Sequence, residues 1–344
     1  MARPAGRPTS RDVARLAGVS QTTVSLVINE VPTVSITEET RSRVRSAVVQ
    51  LDYHPHEGAR SLSRKATRTI GVAIPDAGNP HYMEITEAIE AYAEARGYSI
   101  VLIVTNYDLA CERRCLRWLK QQRVDALILC TSPSEAIEQE IHAAREQGYQ
   151  VTTFLENVQA ACGVCERALL EHLVGLGHRR IGYIHGVADQ ELFGARLRAC
   201  LQAQCDLGVP IVEHWIRRCG PSIDHGFEAT RALLAACEGG ERPTALIVVN
   251  DLLALGALAA LHAAGLPVPG QVSVAAFDNT RLARYSVPPL TSVDPQARLL
   301  GEHVARLAFD RLLAPDSPSI HAETSPRLIV RGSTGPAPAA TRDL

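Results

Sequence analysis

Residues 12–29 read Asp-Val-Ala-Arg-Leu-Ala-Gly-Val-Ser-Gln-Thr-Thr-Val-Ser-Leu-Val-Ile-Asn, and their apolar spacing predicts two short helices joined by a tight turn. Val13, Leu16 and Ala17 fall on one face of the first. Gly18 suits the turn, because a residue without a Cβ adopts positive φ at little cost. Ser20 is a favourable N-cap for the second helix. Val24, Val27 and Ile28 give that helix an apolar face, leaving Gln21, Thr22, Thr23 and Ser25 outward. Short polar side chains at an exposed helix N-terminus can reach base edges in a DNA major groove. The same pattern fits a plain helical hairpin with a solvated outer face, and charge separates the two. Residues 1–68 carry 11 Lys/Arg against 6 Asp/Glu, and the remainder carries 24 against 31. A basic head suits phosphate contacts, and an acidic body resists non-specific nucleic-acid binding.

A third helix is expected from Thr37, which can cap it, with Glu38 and Glu39 in the first turn where the helix dipole favours negative charge. Val44, Val48 and Leu51 recur at helical spacing and can close a three-helix core. Arg41, Arg43 and Arg45 form either a solvated face or a set of phosphate contacts. Tyr53-His54-Pro55 ends the helix, since the residue before proline is pushed out of the α region.

At this point the chain resembles the LacI/GalR family of bacterial transcriptional regulators. The motifs run in family order from Arg11 to Thr334: DVARLAGVS and TVS at 12–25, EETR at 38–41, Tyr53-His54-Pro55, ARSL at 59–62, RTIG at 68–71, LGHRRIGYI at 176–184, RPTALIVVND at 242–251, ALGAL at 254–258, VSVAAFDN at 272–279, PPLTSV at 288–293 and VRGST at 330–334. The resemblance implies an N-terminal all-α helix-turn-helix domain with a hinge helix, then an α/β periplasmic-binding-protein-like body of two doubly wound subdomains. It implies DNA contacts from Ser20, Gln21, Thr22, Thr23, Ser25, Leu26 and Asn29. In the hinge it implies that Ala59 and Arg60 line the minor groove while Leu62 wedges a base step and kinks the duplex. An ordinary linker role for Leu62 is the alternative. A helix this short does not cover its nucleation cost alone, and Gly58 lowers its propensity by about 1 kcal/mol relative to alanine, so hinge folding is expected to depend on DNA.

The expected boundaries are 1–53 for the head, 54–67 for the hinge and 68–334 for the body. The first subdomain would hold about 68–160 and 291–322, the second about 161–290 and 323–334, with crossovers near 160, 290 and 322 and a disordered tail over 335–344. Thr69–Pro75, Ser99–Val104, Ala126–Cys130 and Val151–Leu155 read as buried strands alternating with helices, hence a parallel sheet. Arg180–His185, Ala245–Val249 and Ser273–Phe277 begin a second series.

Doubly wound sheets bind ligands at the carboxyl ends of their strands. Asn106, Asp108, Asn250, Asp251 and Asp278 follow such strands, and the resemblance implies further contacts from His81 and Tyr82, in the family loop where an aromatic pair faces the ligand, and from Arg196, which matches the family arginine that reaches the ligand. Around a cleft, amides, carboxylates and one arginine suit the hydroxyls of a sugar or the edge of a nucleobase. Each is also a plausible turn or cap residue after a strand.

Four departures from the family pattern stand out. Leu26 replaces an arginine that reads a base in many members; it cannot donate to guanine and can touch only a thymine methyl or sugar edge. The loop over 31–36 is slightly long. Residues 156–168 are short and lack the usual strand ending in Asp-Asn. Ala199-Cys200 replaces a Gly-aromatic pair.

The nine cysteines are odd in number, and no signal peptide or transmembrane run is seen, which favours reduced thiols in a cytoplasmic setting. Cys162-Gly-Val-Cys165 has redox or metal spacing, but a lone pair without further ligands is weak evidence. The chain shows no G-x-S-x-G, P-loop, G-x-G-x-x-G or His/Glu metal pattern, so no catalytic residue, metal or cofactor is expected. His178 is read as structural. The tail over 335–344 has no leucine heptads and hence no tetramerising helix. The expectation is a DNA-binding repressor, homodimeric on a pseudo-palindromic operator, controlled by a small hydroxylated effector, without membrane attachment. A sugar-modifying or sugar-binding α/β protein is the alternative; the basic head discriminates, because an enzyme does not need one.

Overall fold

The computed structural model describes residues 8–28, 35–53, 66–131, 135–154, 163–186, 191–237, 241–314 and 325–338. The chain divides into two units, Met1–Thr67 and Arg68–Leu344.

In the first unit, α1 (Ser10–Ala17), α2 (Gln21–Ile28) and α3 (Glu38–Gln50) enclose one small core. Thr9 precedes α1 with its backbone N and Oγ1 both donating to Asp12 Oδ2, at 2.9 and 2.6 Å. Gly18 ends α1 at φ 65°, a left-handed geometry that a side chain would strain. Ser20 Oγ accepts the Thr23 backbone N at 3.0 Å, closing the first turn of α2. Val13, Ala14, Ala17, Val24, Val27, Val44 and Ala47 form the buried centre. Leu16, expected inward, is 47% exposed. α1 meets α2 and α3 through its 13–14–17 side, so Ala14 takes the inward position and Leu16 turns out.

The second unit holds two sheets. β1 (Thr69–Ile74), β2 (Ser99–Val104), β3 (Ala126–Leu129) and β4 (Val151–Thr153) are parallel in the order β2-β1-β3-β4. α4 (Pro80–Glu94), α5 (Leu109–Lys120) and α6 (Glu135–Glu146) follow the first three strands. The remaining elements are α7 (Val164–Gly175), β5 (Ile181–His185), α8 (Glu191–Asp206), β6 (Ile216–Arg218), α9 (Ile223–Ala235), β7 (Ala245–Val248), α10 (Asp251–Ala263), β8 (Ser273–Phe277), α11 (Arg281–Tyr285), β9 (Thr291–Asp294), α12 (Ala297–Leu313) and β10 (Arg327–Ile329). The second sheet runs β10-β9-β8-β7-β5-β6, parallel except for β10, which is antiparallel to β9.

α12 returns to the first sheet. Leu300, Val304 and Phe309 share a core with Ile70, Val72, Ile85 and Ile89. Gly301 permits this approach, since a Cβ there would lie 2.5 Å from Ile85 O. In the second sheet's layer α9 and α10 cross through two glycines: a Cβ on Gly256 would lie 2.0 Å from Ile223 O, and one on Gly226 2.2 Å from Leu253 O.

Two boundaries differ from the sequence expectation. Thr291–Asp294 do not start the return to the first subdomain; they pair with β8 in the second sheet, Ala275 against Thr291. The crossing therefore falls after Asp294, because this strand extends the second sheet before α12 begins. Residues 335–338, expected in a disordered tail, are also held against the body. Gly335 N donates to Ser273 Oγ at 3.1 Å and Ala337 N to Leu176 O at 2.8 Å. Buried His178 anchors this stretch, with Nδ1 2.9 Å from Thr244 Oγ1 and Nε2 3.0 Å from both Ser273 Oγ and Gly335 O. The crossover expected near 160 lies outside the described residues.

Candidate nucleic-acid interface and ligand cleft

Gln21, Thr22 and Ser25 lie exposed on α2, while Thr23 and Leu26 are half-buried. The Ser20 hydroxyl is engaged with both the backbone N and the hydroxyl of Thr23. One polar surface therefore opens at the N-terminal end of α2, above the Val24–Val27 side that enters the core. Asn29, Ala59, Arg60 and Leu62 lie outside the described residues.

The second unit brings the strand ends of its two sheets together. Asn79 caps α4, its Oδ1 accepting His81 N at 3.0 Å. Its Nδ2 donates to Asp278 Oδ2 at 3.3 Å, joining the end of β1 to the end of β8. His81 and Tyr82 are buried beside this bridge, their rings edge to face at 5.3 Å, with Phe154 6.4 Å from the imidazole. His81 Nδ1 is buried without a hydrogen-bond partner. Burial pushes this imidazole below its usual value while Asp278 opposes that shift, so the ring is neutral at pH 7 and one nitrogen is unsatisfied. Burial likewise raises the phenols of Tyr82 and Tyr107, keeping both as protonated donors.

Arg196 forms the opposite wall. Its guanidinium lies 4.9 Å from the Phe277 ring centroid, and Nη1 donates to Val249 O at 3.3 Å. Nε is 3.8 Å from Glu166 Oε1. Glu166 is fully buried in the first turn of α7, and its Oε2 accepts Gly163 N at 2.6 Å. The cleft arginine thus already has a carboxylate counter-charge inside the protein.

The other expected contacts are placed differently. Asp251 is fully buried, not at a crevice mouth. Its Oδ2 accepts Thr280 N and Oγ1 at 2.6 and 2.8 Å, and its Oδ1 accepts Ser292 Oγ at 2.7 Å. Burial, with Asp278 adding to it, raises this carboxyl to about 7. Its acceptors are occupied by three strand-end donors, so it ties the ends of β7, β8 and β9 together. Asn250 caps α10, accepting Leu253 N at 2.9 Å. Asp108 caps α5, accepting Ala110 N at 2.9 Å. Asn106 is exposed with φ 51°, and Tyr107 follows at φ 60°. Of the eight residues, the structure gathers His81, Tyr82, Asp278 and Arg196.

Tyr107, Asn79, Phe277 and Glu166 were not among the expected contacts. Glu166 had a sequence signal: a carboxylate on the helix whose Leu169, Leu170 and Leu173 go inward. Among the described residues no group of three or more His, Cys, Asp or Glu side chains could hold a metal, and no helix is long and apolar enough to cross a membrane. Cys165 is half-buried on α7, and Cys162 lies outside the described residues.

A three-helix head with a polar second helix, followed by two parallel sheets meeting at a polar crevice, is the build of a DNA-binding regulator. The chain belongs to the LacI family of bacterial regulatory proteins. Residues 9–56 match the family model for bacterial regulatory proteins of the lacI family, and 170–334 match the periplasmic binding protein-like domain. The HTH-type transcriptional repressor PurR of Erwinia tasmaniensis is 33% identical over 342 residues, covering 96% of this chain and 98% of that protein. PurR of Photobacterium profundum is 31% identical over 335 residues, covering 94% and 98%. The Lac repressor dimer bound to operator and the anti-inducer ONPF superposes with a TM-score of 0.80 at 27% identity, covering 96% of this chain and 100% of that one. The regulator CelR in complex with cellobiose gives 0.66 at 27% identity, covering 95% and 100%. These relatives are regulators of transcription, and this chain is a DNA-binding transcriptional regulator, not an enzyme.

Proposed function

We propose that the chain is a cytoplasmic homodimeric repressor that binds a pseudo-palindromic operator and is controlled by a small, uncharged, hydroxylated effector such as a sugar. The crevice carries this reading: neutral His81, with an unsatisfied buried nitrogen, faces Asp278 across the Asn79 bridge. A ligand hydroxyl can satisfy that nitrogen, and aromatic walls suit the apolar face of a sugar ring. Because Glu166 already neutralises Arg196, an anionic effector gains little there. Relatives include PurR repressors and a cellobiose-bound CelR, which is consistent with effector control of this general kind.

Self-association is supported by the edge strand β2, where Val101 and Leu102 are 38% and 37% exposed. An apolar sheet edge in water invites pairing. In the dimer, Gln21, Thr22, Thr23, Ser25, Leu26 and Asn29 would read the major groove, and Ala59, Arg60 and Leu62 the minor groove. Effector binding would alter the angle between subdomains and so the state of the paired hinges.

A fluorescence titration with genomic fragments tests the operator half of this reading. Specific binding should fall steeply with salt, since several phosphates are neutralised. Sequence-independent binding with and without effectors would overturn it. Calorimetry with neutral sugars, nucleobases and carboxylated sugars tests the other half: a neutral sugar should bind, and preference for a nucleobase or a carboxylate would refute the sugar assignment.

A further inference from the structure

Cys111 and Cys115 stand one turn apart on α5, and both are buried. A spacing of four puts the two side chains on one side of the helix. Cys115 enters the core that α5 shares with Ala73, Leu127 and Leu129. Cys111 acts on the Cys115 thiol both electrostatically and as a hydrogen-bonding neighbour. Arg114 is exposed on α5, yet its Nη2 lies 2.9 Å from Cys111 Sγ. The Cys111 thiol also donates to Val104 O, at the end of β2, at 3.8 Å. A neutral thiol is a weak acceptor, so a guanidinium resting on it is a counter-charge for the thiolate. Cys111 lies in the first turn of α5, where Leu109, Ala110, Arg113 and Arg114 are exposed, which leaves its sulfur close to the surface.

Geometry decides what such a pair can hold. A disulfide needs Cβ atoms about 3.5–4.5 Å apart, whereas residues four apart on a helix keep theirs at about 5–6 Å. Zinc sites of the structural kind take four ligands, and among the described residues no group of three or more His, Cys, Asp or Glu side chains could hold a metal. A two-coordinate ion has neither problem. Two metal–thiolate bonds of about 2.3 Å set the sulfurs roughly 4.6 Å apart, within reach of side chains at this spacing. We infer that Cys111 and Cys115 form a two-coordinate thiolate site for a soft monovalent cation of the Cu(I) type, with Arg114 as its counter-charge. Thiolates select such ions over hard ones. Binding replaces two S–H bonds by two S–metal bonds and releases two protons, with no change of oxidation state. The two thiolates and the cation leave one net negative charge, which Arg114 and the positive start of α5 offset.

The test is competition for Cu(I) between the full-length protein and bicinchoninate, without oxygen and under a reductant, with X-ray absorption at the copper edge. Wild type should hold an ion with two sulfur neighbours. Cys111→Ala with Cys115→Ala should weaken it at least about a hundredfold, because even the outer partners of metal ligands are worth about 10–100-fold. Arg114→Met should weaken it about tenfold. Cys205→Ser, at an exposed thiol on α8, should leave it unchanged. Thermal melts confirm that each variant is folded, and should the double variant fail to fold, Cys111→Ala alone decides. No retention of Cu(I) by wild type overturns the site. So does equal retention by wild type and the alanine variants, or loss of the ion in Cys205→Ser instead. A third sulfur neighbour, or zinc held as tightly as Cu(I), refutes the two-coordinate assignment.

Discussion

Glu166 and Arg196 form an ion pair at 3.8 Å with side chains only 2% and 12% exposed. The pair joins the first turn of α7 to α8 and sets the charge of the crevice wall. Breaking one partner of such a pair leaves the other uncompensated in a dry setting, which costs more than an exposed pair ever contributes.

Glu166→Gln should therefore do two things. The amide oxygen still accepts Gly163 N, so the helix start persists, but stability should drop by about 2 kcal/mol as Arg196 loses its counter-charge. Arg196 then becomes available to an anion. A carboxylated sugar should bind the variant at least about tenfold tighter than wild type by calorimetry. Unchanged ligand selectivity would show that Arg196 does not face the effector.

Asp251 gives a pH-dependent stability. Its folded value of about 7 lies above the ordinary 3.8, so the folded state keeps a proton that the unfolded chain releases. Raising pH from about 4 to about 7 should lower the stability contribution of this group, with no further change above about 7. Asp251→Asn should flatten that slope in urea midpoints measured across the range. Asp251→Ala leaves the Thr280 and Ser292 donors without an acceptor and should cost about 3 kcal/mol or more at pH 7.

On the head, cap and contact can be separated. Ser20→Ala removes the acceptor of Thr23 N and should destabilise the first unit by about 1 kcal/mol. Gln21→Ala and Thr22→Ala, at exposed positions, should leave melting unchanged and instead reduce discrimination between operator and random DNA. Loss of specificity without loss of salt dependence is the expected signature in a binding titration.

Gly256→Ala should be among the most damaging small substitutions. The new methyl would lie 2.0 Å from Ile223 O and 2.5 Å from Phe227 N, both backbone atoms of α9 that cannot turn aside. A cost of about 3 kcal/mol corresponds to a fall in melting temperature of roughly 6–12 °C for a unit of this size. A melt within one degree of wild type would mean that α9 and α10 separate easily.

The order of elements was legible from periodicity, because buried parallel strands such as Ala126–Leu129 and Ala245–Val248 are unbroken apolar runs. Two of the shortest strands were not. β6 and β10 span three residues each, alternate weakly and owe their assignment to a neighbour. Within the crevice, residue type and position after a strand led to the strand ends but could not separate the groups that the structure gathers there from helix caps. Asn250, Asp108 and Asn79 all cap helices, and only Asn79 also reaches across to the other sheet. Likewise nothing in the spacing of Asp251, Thr280 and Ser292 announces that a residue after β8 and one within β9 converge on the carboxylate that opens α10.

The return of α12 to the first sheet has a consequence for how the protein is made. Ile85 and Ile89 on α4 complete their core with Leu300, Val304 and Phe309, residues that leave the ribosome some two hundred positions later. At a synthesis rate of about 5–20 residues per second, the apolar side of α4 waits for roughly 10–40 seconds with only the strands made before it and after it as cover. The first sheet cannot complete this core until α12 has been made, whereas β5, β7 and β8 and their helices can assemble beforehand. The subdomain nearer the start of the chain is therefore the later one to mature, and a chain truncated before residue 297 is left with that apolar surface permanently bare.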